Sequence, residues 1–144
     1  MGISTTYVKK LIIAATIATV AAHQIGSLLS WYQDFTWYDT FVHTIGGFWV
    51  AVTVFGLLPR YINTVKLHTA LREHTVRTLL SAVLVIALLW ELFEFTVGQY
   101  AIYAYNVSLM LQPGLGDTIL DIIAGLVGAA IAGMALQKQK VRTY

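Results

Sequence analysis

The sequence predicts an all-α polytopic membrane protein: four transmembrane helices in one bundle, with N and C termini cytoplasmic. Three observations carry this. Of 144 residues, 58% are hydrophobic and 11% charged, where a soluble domain carries about 25% charged residues. Four apolar stretches are each long enough to cross a hydrocarbon core, which takes about 20 helical residues. The nine Lys and Arg also fall on one side of that topology. The chain reads as a single membrane domain, 1–144. It has no cysteine, which excludes disulfides and thiolate metal sites. A net charge of +2 gives no reason to expect nucleic acid.

The first span is expected at about 11–31, behind Lys9-Lys10 and interrupted by His23-Gln24. A signal peptide cleaved just before His23 is the competing reading. Apolar residues continue to Leu29, which favours an uncleaved helix. Gln33 to Trp37 make a short polar and aromatic loop. Trp31, Tyr32, Trp37 and Tyr38 gather there, as interfacial aromatics do. The second span runs over about 38–58 and is expected to end at Pro59-Arg60. Loop 59–77 is polar, with Leu67, Leu71 and His74 near one face of a short surface helix. The third span is set at about 79–100. An outer loop, 101–116, follows, either lying along the membrane or acting as a lid. The fourth span covers about 117–136. Neither an internal repeat nor a low-complexity segment interrupts this order.

Lys9 and Lys10, four basic residues in the central loop and three in the tail share one side, and the other two loops carry none. The positive-inside rule then places termini and central loop in the cytoplasm. The acidic residues divide the other way. Glu73 alone is cytoplasmic; Asp34, Asp39, Glu91, Glu94, Asp117 and Asp121 belong to outer loops or outer halves of spans.

Glu91 and Glu94 matter most, because a charged group at mid-span costs about 2.5–3.5 kcal/mol on insertion scales. They lie on one helical face, as do Asp39 with His43 and Asp117 with Asp121. If those faces meet, Asp39, Glu91, Glu94, Asp117, Asp121 and His43 share a pocket without Lys or Arg. Such carboxylates cannot all stay ionised without compensation. Some are protonated, or His43 (with His23) is cationic, or a cation is bound. Oxygen ligands with one imidazole suit a divalent ion such as Mg²⁺, Mn²⁺, Ca²⁺, Fe²⁺ or Zn²⁺.

The expected metal ligands are His43, Glu91, Glu94, Asp117 and Asp121, with Asp39 and His23 behind them. Glu91, Glu94 and His43 are the candidates for acid–base work. Plainer roles compete. Asp117 and Asp39 suit helix N-termini as caps, and His43 can be a neutral hydrogen bonder. His23 and Gln24 suit interhelical hydrogen bonds, and His68 and His74 a solvated loop. The spacing matches neither His-Glu-x-x-His nor the di-iron bundle motif.

Gly46-Gly47 and the run Gly125, Gly128, Ala129, Ala132, Gly133 predict close helix packing, with a dimerisation surface as the alternative. Asn106-Val107-Ser108 is a glycosylation sequon, relevant only in a eukaryotic secretory pathway.

Three motifs in order carry a family resemblance. They are Tyr38-Asp39-x-x-x-His43-x-x-Gly46-Gly47-Phe48, Trp90-Glu91-Leu92-Phe93-Glu94-Phe95, and Gly116-Asp117-Thr118-x-x-Asp121-x-x-x-Gly125-x-x-Gly128-Ala129. Together they resemble the YjdF-type family of small bacterial membrane proteins and, more distantly, the VanZ-like group. The resemblance implies a bacterial inner-membrane protein whose acidic and histidine positions are the family signature; it implies no activity. VanZ-like proteins are associated with glycopeptide-antibiotic resistance at the cell envelope. YjdF-type members carry additional spans before the Tyr-Asp motif, and this chain has one.

Two functions follow as expectations. One is divalent-metal-dependent chemistry on a lipid or lipid-linked headgroup at the outer leaflet. The other is a non-enzymatic cation- or proton-binding carrier, or a subunit of a larger membrane assembly or homo-oligomer.

Overall fold

The computed structural model describes residues 5–61, 69, 73–106 and 114–141, all the regular structure among them being helical. Its elements are α1 (Thr5–Leu28), α2 (Trp31–Asp34), α3 (Tyr38–Tyr61), α4 (Thr75–Tyr105) and α5 (Leu115–Val141). Four of these, α1, α3, α4 and α5, are long and apolar enough to cross a membrane. Leu67, His68 and Leu71 of the expected surface helix lie outside the described residues, as do 107–113 of the outer loop.

Helix ends differ from the sequence expectation for local reasons. The first span was expected to reach Trp31, but α1 stops at Leu28. Ser30 adopts a left-handed conformation, φ 60°, which breaks the α1 hydrogen-bond ladder and starts the single turn of α2. Its carbonyl accepts from Gln33 and Asp34 N–H, both at 3.0 Å. Pro59 does not end α3, which continues to Tyr61. One missing N–H costs little in the last turn of a helix. The third helix is longer at both ends than expected, 31 residues, or about 46 Å at ~1.5 Å per residue. That exceeds the ~30 Å hydrocarbon core. Asn106, φ 53°, caps it in a left-handed conformation.

α3 is the central helix. It packs along α5, and also against α4 and α1, while α4 and α5 pack on each other. α1 rests on α3 and α2 alone among the described elements. Inside a bilayer the hydrophobic effect does not drive helices together, so close packing must. The small residues supply it. A Cβ built on Gly47 would strike the Gly125 backbone, and one on Gly128 would strike the Thr44 carbonyl. Backbone therefore meets backbone along the α3–α5 seam. Gly133 lies against Val76 of α4. Gly46 faces open space and takes no part. Below the seam Ala51, Val52, Leu79, Val83, Ala129, Ala132 and Leu136 form the buried core.

α1 is held by fewer but specific contacts. The Tyr38 hydroxyl donates to the Ala22 carbonyl at 2.6 Å, and Trp49 Nε1 donates to Thr16 Oγ1 at 2.8 Å. Thr16 in turn donates to the Ile12 carbonyl. Gly26 leaves room for the rings of Tyr32 and Tyr38. Those rings belong to an aromatic cluster at the α2 end, where Trp31, Tyr32, Phe35, Trp37, Tyr38 and Phe41 meet mostly edge to face. Rings with a polar edge suit a membrane interface, so the cluster marks one boundary of the bundle.

Candidate carboxylate–histidine site

The site is built from the first turns of two helices and the middle of a third. Asp39 stands in the first turn of α3, and His43 follows it one turn on. Asp117 and Asp121 repeat that arrangement on α5, with Asp117 in its first turn. Glu91 and Glu94 come from α4. The tight α3–α5 seam starts one turn beyond, at Gly47 and Gly125. It therefore sets the separation of His43 and Asp121.

His43 is the hub. Its Nε2 lies 3.6 Å from Asp39 Oδ1 and 3.9 Å from Asp121 Oδ2. Asp39, His43 and Asp121 form one group whose ligand atoms lie within 4.8 Å of one another; His43, Glu91 and Glu94 form a second. Around an octahedral cation with bonds of ~2.1 Å, ligand atoms stand about 3 Å apart when adjacent and about 4.2 Å when opposite. In the first group, His43 Nε2 would have to draw up to about 1 Å closer to each carboxylate to reach the adjacent-ligand spacing.

Exposure is graded across the site. Asp121 and Glu91 are nearly inaccessible, at 3% and 5% relative exposure, whereas the Asp39 side chain is 35% exposed and Glu94 is half-buried. The two groups share His43, so four carboxylates, Asp39, Glu91, Glu94 and Asp121, stand around one imidazole. The described cations are far away. Arg77 on α4 is about 21 Å along the helix from Glu91, and Lys138 on α5 about 26 Å from Asp121.

The expected residues are not all equivalent. His43, Glu91, Glu94 and Asp121 converge. Asp39, expected behind His43, instead places a carboxylate oxygen within the first group. Asp117 belongs to neither group. His23 belongs to neither group; its Nδ1 lies 2.9 Å from the Tyr32 hydroxyl. Gln24 is exposed.

Two residues outside the predicted set border the site. Tyr32 is half-buried, and its ring stacks edge-on against His23 and Tyr38. Burial, followed by the negative charge of Asp39 and then by Tyr38 and Glu94, pushes its hydroxyl well above the ordinary phenol range. It is a hydrogen-bond donor at any physiological pH. Trp90 stands one turn before Glu94 on α4 and is 49% exposed. Sequence reasoning counted Tyr32 only as an interfacial ring. The left-handed turn at Ser30, which aims it back over α1, has no glycine to announce it.

Residues 4–142, nearly the whole chain, match a family described as "Predicted membrane protein (DUF2238)". Nothing in that match supports the more distant likeness to the VanZ-like group. No curated protein and no solved structure matches the chain.

Proposed function

We propose, from the premise that the chain belongs to this family of predicted membrane proteins, that it binds a divalent cation and uses it on a lipid or lipid-linked headgroup. The YjdF-type kinship read from its three motifs is part of the same proposal. One observation carries the reading: two groups of ligand-type atoms meet at His43, far along their helices from any described Lys or Arg. Asp39, His43, Glu91, Glu94 and Asp121 hold the cation, and Asp117 adds to its attraction. A cation there would polarise a phosphoryl or ester oxygen and acidify a bound water. Glu94, half-buried and at the margin of the site, is the side chain best placed to exchange a proton with a reacting group. The positive-inside count supports an outer-leaflet position for this end of the bundle, and the proposal sets it in a bacterial cytoplasmic membrane.

Metal analysis of the purified protein, followed by Mn²⁺ titration, tests the reading. Wild type is expected to hold a divalent ion. Glu91→Gln and Asp121→Asn should each weaken it by about tenfold or more, at least the loss seen when a group supporting a ligand is removed. Wild type that binds no divalent ion would refute it.

A second reading rests on the near-complete burial of Asp121 and Glu91. Acidic side chains enclosed within a membrane bundle also suit a proton- or cation-binding carrier or a structural subunit. Infrared bands of protonated carboxyls in metal-free wild type at neutral pH would favour it.

A further inference from the structure

We infer that the site is entered sideways from the bilayer, between α1 and α4, by a phospholipid whose phosphate meets the bound cation while its acyl chains stay in the membrane. The inference rests on the cation reading above and adds the route and the ligand class.

The first observation is a missing wall. α3, α4 and α5 pack on one another around the carboxylates, but α1 touches neither α4 nor α5 among the described residues. Tyr32 of α2 places its hydroxyl 2.9 Å from His23 Nδ1 on α1 and meets the Tyr38 ring of α3 edge to face. Trp90, one turn before Glu94 on α4, is 49% exposed.

The second observation is the exposure gradient. The carboxylates on α5 and deep in α4, Asp121 and Glu91, are closed off. Asp39 and Glu94 are the accessible ones. Apolar side chains of α1 and α4 are uncovered near this level, with Val20, one turn from His23, 55% exposed and Phe93, beside Trp90, 54% exposed. A ligand that crosses them must be dissolved in the bilayer.

The third observation is charge. With the cation loaded, the deepest point of the route is the one positive centre at this end of the bundle, which suits a phosphate. Tyr32 and Trp90 flank it with O–H and N–H donors, as such residues do at headgroup depth.

Phosphatidylcholine vesicles containing the full chain, Mn²⁺ and a trace of phosphatidylglycerol with a diazirine on its headgroup provide the test. Photolabel is expected on the Tyr32 and Trp90 segments, several-fold above Ile123 and Val127 of α5, which are similarly exposed at 51% and 49%. Removing Mn²⁺, or changing Asp121→Asn or Glu94→Gln, should reduce label to that of a diacylglycerol carrying the same diazirine. Val20→Trp, which adds bulk beside His23 but alters no ligand, should lower label while Mn²⁺ binding is unchanged. Even labelling of all lipid-facing helices, or label indifferent to Mn²⁺ or to the phosphate, would overturn side entry although Mn²⁺ still binds. Absence of Mn²⁺ binding by electron paramagnetic resonance in the same vesicles would remove the cation reading and this inference together.

Discussion

Gly47→Ala is the sharpest probe of how the packing seam serves the site. A Cβ at residue 47 would overlap the Gly125 carbonyl and stand 2.6 Å from its Cα. Ordinary carbon contacts are about 3.5–4.0 Å, so the two backbones must part by about 1 Å. Neither is the end of a flexible side chain, so the shift spreads along both helices. Overpacking of this kind costs about 1–3 kcal/mol, against a gain of up to about 1 kcal/mol from replacing glycine in a helix. The net is destabilising. His43 and Asp121 sit one turn away and are already 3.9 Å apart, so a further parting takes them out of joint ligation. Cation affinity should fall by about tenfold or more. Gly46→Ala is the matched control, because nothing lies within 4 Å of its Cβ position; it should be neutral or slightly stabilising. Thermal unfolding in detergent and Mn²⁺ titration read both quantities. If Gly47→Ala equals Gly46→Ala in stability and Mn²⁺ affinity, the seam does not set the site.

Other expectations are simpler. Protons compete with a cation for carboxylates and imidazole, so Mn²⁺ affinity should fall as pH is lowered; an affinity indifferent to pH would exclude these ligands. Tyr32 binds its proton more tightly folded than unfolded. Its contribution to stability is therefore complete below the ordinary phenol value of about 10 and is lost as pH rises through the folded value. Wild type should consequently lose more stability than Tyr32→Phe above that pH, measured by alkaline unfolding. Trp49→Phe removes the hydrogen bond to Thr16 and should cost about 0.6 kcal/mol, the mean for interhelical hydrogen bonds in a membrane protein. Gly26→Ala would drive a Cβ into the rings of Tyr32 and Tyr38, and unfolding should register about 1–3 kcal/mol of overpacking.

The broad outline was legible because it depends on quantities additive along the chain. Apolar length implied four helices capable of crossing a membrane, and four are present among the described residues. The i, i+4 pairs Asp39–His43 and Asp117–Asp121 followed from helical period alone. Helix ends were less legible. Pro59 signalled a stop that a terminal turn did not need, and Ser30 gave no sign that it would turn left-handed. The role of Gly46 was misjudged alongside that of Gly47, since adjacent residues point about 100° apart and only one meets α5.

By itself the sequence determined that the acidic groups fall toward one end of a small helical bundle, in pairs on single helix faces, since helix period and charge distribution are local properties. Tertiary structure alone decided which of them converge. Helix rotation and depth depend on backbone contact at Gly47, Gly125 and Gly128, a steric relation between segments far apart in the chain. That contact places Asp121 beside His43 and leaves Asp117 at the margin. α1 is seated differently, through side chains: Val8 and Ile12 lie against Gly56, and Tyr38 and Trp49 donate hydrogen bonds to it, with no backbone-to-backbone seam.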